Sequence, residues 1–438
     1  MKKIILIIVA VVLSFIVYAW SSEKIGHYQL SQFISPDTCG GCHDEIYAQW
    51  KGSMHNLALK DIIYSEVADA GLKGLTDKDE IEEAEHCQIC HTPVGYITGY
   101  PTKTSDNRAK IDEISMQGIQ CDYCHSITGA FAVYNAQYKY NPGNGEENPG
   151  VKRGPFKDSA SDYHKSEFSE FHTKSELCGT CHDVQHVKFG TWLETTYQEW
   201  KASPYNRQGV QCQDCHMYQR PGFPGTGSKE RVKNPGMASS AGGIKREHIF
   251  THYFVGGNTA IPAGEKNQTL VKMAEERLKN AVDIKIDSKS EGNNIVVRIL
   301  NNGAGHCVPT GLTNVRQAWL KVIVKDSKGK IIYTAGVPDK KGNLPADTIV
   351  YNTVLGDGKG KPVDNVAKAR EIISDNRLKP MQEKVEKIDA GNFTGKVTVE
   401  ASILYSGVPQ SVADSLKGLK GIKVPVVVMK ETKGTVEK

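Results

Sequence analysis

The sequence has few of the residues that fill an ordinary protein interior. Aromatic residues make up 8% and apolar residues 39% of its 438 positions. A chain of this length is long enough for two or three domains, yet it offers little side-chain material for their cores. Apolar bulk from another source is therefore expected in part of the molecule.

Long apolar runs are lacking except at the N-terminus, where two lysines precede a 17-residue run at positions 4–20. This pattern predicts an export signal over residues 1–20, with cleavage after Ala19. An uncleaved anchor is the alternative, although such a helix would span about 26 Å, slightly less than a bilayer core. No cysteine follows the run, which excludes a lipoprotein anchor. Both alternatives place the rest of the chain in the periplasm or outside the cell, and only the anchor would tether it to the membrane.

Cysteine occurs almost entirely in one pattern, the pentad C-x-x-C-H, which is present five times. This spacing attaches haem c, because the two thiols add to the two vinyl groups of one porphyrin and the histidine becomes the proximal iron ligand. The sequence therefore predicts five covalently attached haems, each with one iron. The predicted attachment residues are Cys39, Cys42, Cys87, Cys90, Cys121, Cys124, Cys178, Cys181, Cys212 and Cys215, and the predicted proximal ligands are His43, His91, His125, His182 and His216.

Other uses of these cysteines explain the pattern less well. Zinc half-sites and redox dithiols also contain C-x-x-C, but neither requires a histidine directly after the second cysteine in every copy. The pentads use ten of the eleven cysteines, so no structural disulfide is expected. For the remaining Cys307 we predict a buried free thiol packed near a haem, with a redox or ligand role as the alternative.

The charge balance argues against nucleic acid as a partner. The polypeptide carries a formal net charge of +4 at pH 7. Two propionates on each of five haems would add ten negative charges, so the loaded protein would carry roughly −6. Redox proteins that dock through small, transient surfaces are the expected partners.

The distribution of patterns predicts an α+β protein. Residues 21–264 contain all five pentads and long segments rich in Gly and Pro, which predicts a loop-rich, mainly helical pentahaem domain. Short helices are expected at 44–51 and 197–201. For residues 265–438 we predict a linking helix at 266–282 and an antiparallel β-sandwich of about seven strands. The predicted strands are 283–287, 295–301, 319–325, 331–334, 396–405 and 424–429, with a hairpin turn at 326–329.

An internal repeat relates two parts of the pentahaem region. The pattern Tyr-x-x-Trp-Lys-x-Ser begins at Tyr47 and again at Tyr197. The third and fifth pentads each follow Gly-(Ile/Val)-Gln and begin 34 residues after the start of the preceding pentad. Two similarly built haem pairs are therefore expected, with the first haem attached in front. His55 in the first copy corresponds to Tyr205 in the second, which leaves open that one iron lacks a sixth ligand.

Low-spin haem irons need a sixth ligand, most often a second imidazole. His55 is predicted because Trp50 can cover a porphyrin face, and His306 because the glycines around it allow close approach of the backbone. Either His252 or His248 is predicted, since both would lie on one face of a helix, and His164 is preferred to His172. The predicted distal ligands are thus His55, His164, His252, His306 and His248. His86 is too close to its own pentad, His186 is expected at the surface or beside a ligand, and His27 would serve the first haem or a neighbouring subunit.

These residues resemble the multihaem c-type cytochromes of the hydroxylamine-oxidoreductase superfamily, near its tetrahaem nitrifier cytochrome. The resemblance extends from about Cys39 to Lys325. It rests on the first pentad with Tyr47, Trp50, Ser53 and His55, the segments around the last two pentads, His252 with its Gly-Gly, and Gly-His-x-x-Pro-Thr-Gly at His306. The resemblance implies bis-histidine haems in close stacked and perpendicular pairs that carry electrons. Enzymes of this superfamily keep an open or lysine-ligated iron, and the C-x-x-C-K marker of the latter is missing here.

The function predicted from these features is electron transfer through five closely packed haems outside the cytoplasm, rather than catalysis. The protein would act in an extracellular electron-transfer chain or as a haem filament, in which His27 or another spare histidine would bind iron across subunits. The alternative is an enzyme that reduces or oxidises a small nitrogen or sulfur compound at one five-coordinate haem.

We expect protein made in a host that attaches haem c to have the mass of the polypeptide plus five haems, because thioether bonds survive denaturation. Intact-mass spectrometry under denaturing conditions measures this. The double variant Cys178→Ala, Cys181→Ala is the control and should lose the mass of one haem. The mass of the bare polypeptide would contradict the prediction.

Overall fold

A computed structural model of the chain describes residues 27–421 and 423–438. The predicted export signal at 1–20 lies outside the described residues. Within them, helices predominate in the N-terminal part and antiparallel sheets in the C-terminal part, which confirms the α+β class. No helix in the described ranges is both long and apolar enough to cross a membrane.

The helices are short in the region of the pentads. The α-helices, numbered in chain order, are α1 (Pro36–Gly40), α2 (Asp44–Lys51), α3 (Met54–Leu57), α4 (Ile62–Leu72), α5 (Lys78–Glu85), α6 (Gln88–His91), α7 (Pro93–Thr98), α8 (Cys121–His125), α9 (Glu176–Gly179), α10 (Thr196–Ala202), α11 (Pro204–Arg207), α12 (Cys212–His216), α13 (Ala260–Gly264), α14 (Gln268–Lys279) and α15 (Gln410–Ser415). Single 3-10 turns lie at Leu30–Gln32, Arg108–Lys110, Ser115–Gln117, Glu170–Thr173, Thr313–Val315 and Val366–Lys368.

The long strands lie after residue 280. The strands are β1 (Ile127–Ala130), β2 (Tyr138–Tyr140), β3 (Val151–Gly154), β4 (Lys165–Phe168), β5 (Asp183–Gln185), β6 (Trp192–Thr195), β7 (Asp283–Ile286), β8 (Asn294–Leu300), β9 (Gln317–Lys325), β10 (Ile331–Ala335), β11 (Val350–Tyr351), β12 (Thr353–Gly356), β13 (Glu371–Asp375), β14 (Glu383–Asp389), β15 (Lys396–Ser406) and β16 (Val426–Glu437). Small two-stranded sheets pair β1 with β2, β3 with β4, β5 with β6 and β12 with β13.

Two antiparallel sheets form the predicted β-sandwich. One contains β10, β9, β15 and β16 in that order, with β11 also paired to β9, and the other contains β14, β8 and β7. Alternate residues of a strand point to the same face, and the facing residues, such as Ile295 and Ile299 on β8 and Val322 and Val324 on β9, belong to one buried cluster. These eight strands form the largest apolar core described in the chain.

The linking helix α14 connects the two halves. The Asn267 side chain caps its N-terminus by accepting the Leu270 N–H at 3.1 Å. Leu270 and Met273 pack with Val255 of the pentad region, whereas Leu278 belongs to the core of the sandwich. The helix therefore packs against both halves, and the predicted domain boundary at 264/265 stays a prediction.

Side-chain cores in the pentad region are small, as the composition predicted. The main buried cluster there contains Phe33, Val94, Tyr96, Ile97, Tyr123, Ile127, Ala136 and Tyr138. Its aromatic rings come from separate short elements joined by loops. Long loops are unusual in a compact domain unless they carry a function, so the residues that these loops surround form the candidate functional site.

Candidate haem-binding site

Each pentad folds into one helical turn. The third and fifth pentads are the helices α8 and α12. In the other three pentads the backbone N–H of the histidine donates to the backbone carbonyl of the first cysteine. These bonds run from His43 to Cys39 at 2.9 Å, from His91 to Cys87 at 3.3 Å and from His182 to Cys178 at 3.0 Å. Residues three and four positions apart lie on one face of a helical turn. Both thiols and the imidazole therefore face the same side, as attachment to one porphyrin requires.

Backbone carbonyl groups fix the orientation of these imidazoles. The Nδ1 atom bonds to a carbonyl oxygen in four of them, His43 to Ala238 at 2.7 Å, His91 to Ala58 at 2.8 Å, His216 to Val255 at 3.1 Å, and His125 to Arg153. A histidine that binds metal through Nε2 commonly donates its other ring N–H in this way. Burial lowers the pKa of His91 to about 4, which keeps the ring in its neutral, metal-binding form.

Four pentad histidines each face a second histidine ring from a distant segment. The pairs, with centroid distances and interplanar angles, are His43 with His164 (6.4 Å, 26°), His125 with His252 (6.5 Å, 29°), His182 with His55 (6.4 Å, 32°) and His216 with His306 (6.2 Å, 19°). These four partners are predicted distal residues. The structure thus brings each of them towards a different pentad.

The spacing of the pairs fits a haem iron between the rings. With about 2 Å from metal to each nitrogen and about 1.1 Å from nitrogen to ring centre, two axial imidazoles have centroids roughly 6.2 Å apart. Burial lowers the pKa of His55 and of His252 to about 3, so both rings are neutral. The residues present therefore fit c-type haem: cysteines and one imidazole on one side, and a second imidazole opposite.

His125 has two histidine neighbours, His172 and His252, which differ in the hydrogen bonds of their own rings. The His172 ring lies 5.8 Å from that of His125, but its Nε2 bonds to the Cys124 carbonyl at 3.1 Å, which leaves only the Nδ1, next to its own backbone, without a partner. The His252 Nδ1 bonds to the Phe250 carbonyl at 3.0 Å, which leaves its Nε2 available for a metal. We therefore expect His252 to be the axial partner of His125.

His91 has a different neighbour. Its ring stacks on the Tyr64 ring with a centroid distance of 3.7 Å and an angle of 8°, too close for an iron between them. The Tyr64 hydroxyl is buried without a hydrogen-bond partner, and burial raises the pKa of this phenol well above its usual value. No signal in the sequence indicated Tyr64, which lies in the helix α4.

The remaining histidines lie apart from these pairs. His248 stacks on Tyr218 at 3.7 Å and its Nδ1 accepts the Asn234 N–H at 3.0 Å. The segment that contains His248 and His252 has no regular secondary structure, so the two rings are directed to different surroundings. His186 is fully buried and bonds through Nε2 to the Ala367 carbonyl at 3.0 Å, and the ring of His86 lies 6.1 Å from Tyr96.

The two copies of the internal repeat make the same contacts. The indole N–H of Trp50 donates to the Ile119 carbonyl, and that of Trp200 to the Val210 carbonyl, both at 2.8 Å. In each copy a tyrosine ring packs on a pentad glycine: Tyr47 on Gly40, which follows Cys39, and Tyr197 on Gly179, which follows Cys178. The copies differ at Tyr205, whose hydroxyl donates to the Asn302 carbonyl at 2.6 Å.

Cysteines of different pentads lie near one another. The pKa of the Cys39 thiol is shifted by Cys121, that of Cys90 by Cys181, and that of Cys178 by Cys212. Cys124 also lies near Cys181, and burial raises its pKa to about 12. The attachment edges of neighbouring porphyrins would therefore be adjacent.

We expect His252→Ala to convert one haem from low spin to high spin, because the iron at His125 would lose an axial imidazole. His172→Ala is the matched control, since this ring also lies beside His125 but its Nε2 is occupied by the Cys124 carbonyl. Electron paramagnetic resonance of the oxidised protein counts the high-spin irons. A new high-spin iron in His172→Ala alone would reverse the assignment.

Comparisons with known proteins agree with this geometry. The family model described as "Cytochrome c554 and c-prime" matches residues 38–126, which contain the first three pentads. The crystal structure of a penta-heme cytochrome c552 from Thermochromatium tepidum is similar in fold, with a TM-score of 0.62 and 20% sequence identity over 93% of this chain and 100% of that chain. No match is found among curated proteins. The narrower resemblance to the hydroxylamine-oxidoreductase superfamily stays a prediction. Together with the five pentads, the two matches support a multihaem c-type cytochrome with covalently attached haem.

Proposed function

We propose that this protein carries electrons through five haems, one for each pentad, numbered here in chain order. The observation that carries the proposal is the proximity of cysteines from different pentads, whose thiols are close enough to shift each other's pKa. Each thiol is the attachment point of a porphyrin edge, so neighbouring thiols would bring the edges of two conjugated rings close together. Electrons pass readily between redox centres at such separations, and the redox chemistry itself belongs to the haem.

Pairs of neighbouring cysteines from different pentads would connect all five haems. Cys39 and Cys121 connect the first haem to the third, Cys90 and Cys181 the second to the fourth, and Cys178 and Cys212 the fourth to the fifth. The proximity of Cys124 to Cys181 adds a connection from the third haem to the fourth. The fourth haem therefore has three neighbours, and no haem is isolated from the others.

The proposed axial ligands suit an electron carrier. His164, His252, His55 and His306 would complete the first, third, fourth and fifth irons opposite the pentad histidines. Two imidazoles keep an iron low-spin in both oxidation states, so reduction changes little around it. Backbone carbonyls that bond to the rings of His216 and His252 add to this rigidity.

The second iron favours a second candidate function. In the described part of the chain, the ring contact of His91 is with Tyr64 rather than with a histidine. The Tyr64 ring is stacked on the face of the His91 ring, so it lies beside this imidazole and not opposite it. An iron with one open position binds small molecules. The protein would then reduce or oxidise a small nitrogen or sulfur compound at the second haem, with electrons supplied or removed through the other four.

The proposed location is outside the cytoplasm. The apolar run at positions 4–20 supports export, and attachment of haem c takes place outside the cytoplasm. Redox proteins are the proposed partners, and assembly into a filament is the alternative, in which the exposed His27 would bind iron in a neighbouring subunit. Electron micrographs of cell-surface material would reveal such filaments, and finding isolated monomers alone would exclude them.

We expect four low-spin irons and one high-spin iron in the oxidised protein, and binding of carbon monoxide to one haem in five after reduction. Both follow from the four imidazole pairs and the different neighbour of His91. Paramagnetic resonance and carbon monoxide titration measure these counts. Two or more high-spin irons would contradict the bis-histidine scheme.

The same preparation distinguishes the two functions. An electron carrier should show no sustained turnover of nitrite, hydroxylamine or sulfite with a dye as electron donor or acceptor. Sustained turnover that cyanide abolishes by binding a single haem would instead support the enzyme. Buffer with free haem is the control for non-enzymatic reaction.

A further inference from the structure

We infer that Gln49 and Glu199 are positioning residues that hold the distal histidines of the third and fifth haems in place. This inference rests on the proposed ligation of those haems. Gln49 and Glu199 occupy the same position in the two copies of the repeat, directly before Trp50 in α2 and directly before Trp200 in α10. Each contacts the backbone of a segment that contains a distal histidine.

Glu199 contacts the segment of His306. Its Oε2 accepts the Cys307 N–H at 2.9 Å and the Thr310 hydroxyl at 2.7 Å, while its Oε1 accepts the Thr195 hydroxyl at 2.7 Å and the guanidinium of Arg377. These four donors fill the acceptor positions of the carboxylate. The Glu199 side chain is 6% exposed, so water competes little for these bonds.

Both polar groups of the peptide bond between His306 and Cys307, its N–H and its carbonyl, are hydrogen-bonded to side chains. Glu199 accepts its N–H, and the Asn301 side-chain amide donates to its carbonyl at 2.8 Å. A peptide unit is planar, so holding both groups fixes its orientation and with it the direction of the His306 side chain. The His306 ring, 6.2 Å from that of His216, depends on this orientation to face the iron.

Gln49 makes the equivalent contact in the first copy. Its Oε1 accepts the backbone N–H of His252 at 2.8 Å, and its Nε2 donates to Glu45 at 3.3 Å. Gln49 is buried. The same helix position thus provides a side-chain oxygen acceptor for a distal histidine segment in both copies, although those segments come from different parts of the chain.

The residue types differ because the surroundings differ in charge. At position 199 the carboxylate is paired with Arg377, which also donates to Asp375 at 2.8 Å through two nitrogens. A buried carboxylate without such a partner would be costly. The amide of Gln49 accepts the same kind of N–H bond without a charge. The shared feature is the oxygen acceptor, and the charge is secondary to it.

The test compares the spin state of variants of the full haem-loaded protein. We expect Gln49→Leu and Glu199→Ala each to add one high-spin iron and one carbon monoxide site, and added imidazole to restore the low-spin signal. Glu199→Gln should keep the low-spin count, since it introduces the residue found in the other copy. It should also raise the midpoint potential of one haem, because it removes a negative charge near the iron. The matched controls are Lys51→Ala and Lys201→Ala on the same helices, which should match the parent protein.

The outcomes separate this inference from the proposed ligation. If His252→Ala and His306→Ala each add a high-spin iron but Gln49→Leu and Glu199→Ala do not, the positioning role is wrong and the ligands stand. If the histidine variants themselves change no spin state, the proposed ligation fails, and the inference fails with it. Should Glu199→Ala not fold, Gln49→Leu decides, since it removes the acceptor without changing a charge: one added high-spin iron supports the positioning role, and an unchanged spin count overturns it.

Discussion

The pentad region depends on holding pairs of imidazole rings about 6 Å apart, the separation that a porphyrin iron between them would need. One member of each pair is fixed by a helical turn that includes its own cysteines, and the other comes from a segment distant in the sequence. In the proposed ligation the polypeptide would pack around planar groups rather than around its own side chains. This explains why the aromatic cluster near Tyr123 is small and why long loops occur, since a loop that lines a porphyrin has packing partners that its sequence does not reveal.

Much of the architecture could be predicted because its signals are local. The helix at 44–51 and the strand patterns at 283–287 and 319–325 follow from periodicity in adjacent residues, and the structure has α2, β7 and β9 there. The strand β14 was missed because it alternates charged residues with few apolar ones, and only Ile388 is buried. Such a strand is specified by its neighbour β8 rather than by its own sequence.

The candidate site was predictable only in part. A pentad carries its chemistry in five consecutive residues, whereas a distal ligand is defined by its position in space. His248 was grouped with His252 on the assumption of a helix, but the segment is not helical and Tyr218 stacks on the His248 ring. The repeat placed the missing ligand at Tyr205, yet that hydroxyl bonds to Asn302. The pentad histidine whose surroundings differ is His91, because Tyr64 comes from a helix without a counterpart in the repeat.

The position of the fourth pentad, next to three others, determines how well electron transfer would survive the loss of a single haem. In a linear series of centres, loss of any interior member divides the path into two separate parts. In the proposed arrangement the second and fifth haems lie at the ends of side branches, so inactivating either leaves the remaining centres in communication. Inactivating the fourth would instead separate three groups at once. Mutational tolerance should therefore be uneven along the chain, lowest around Cys178 and Cys181, and higher at the terminal sites.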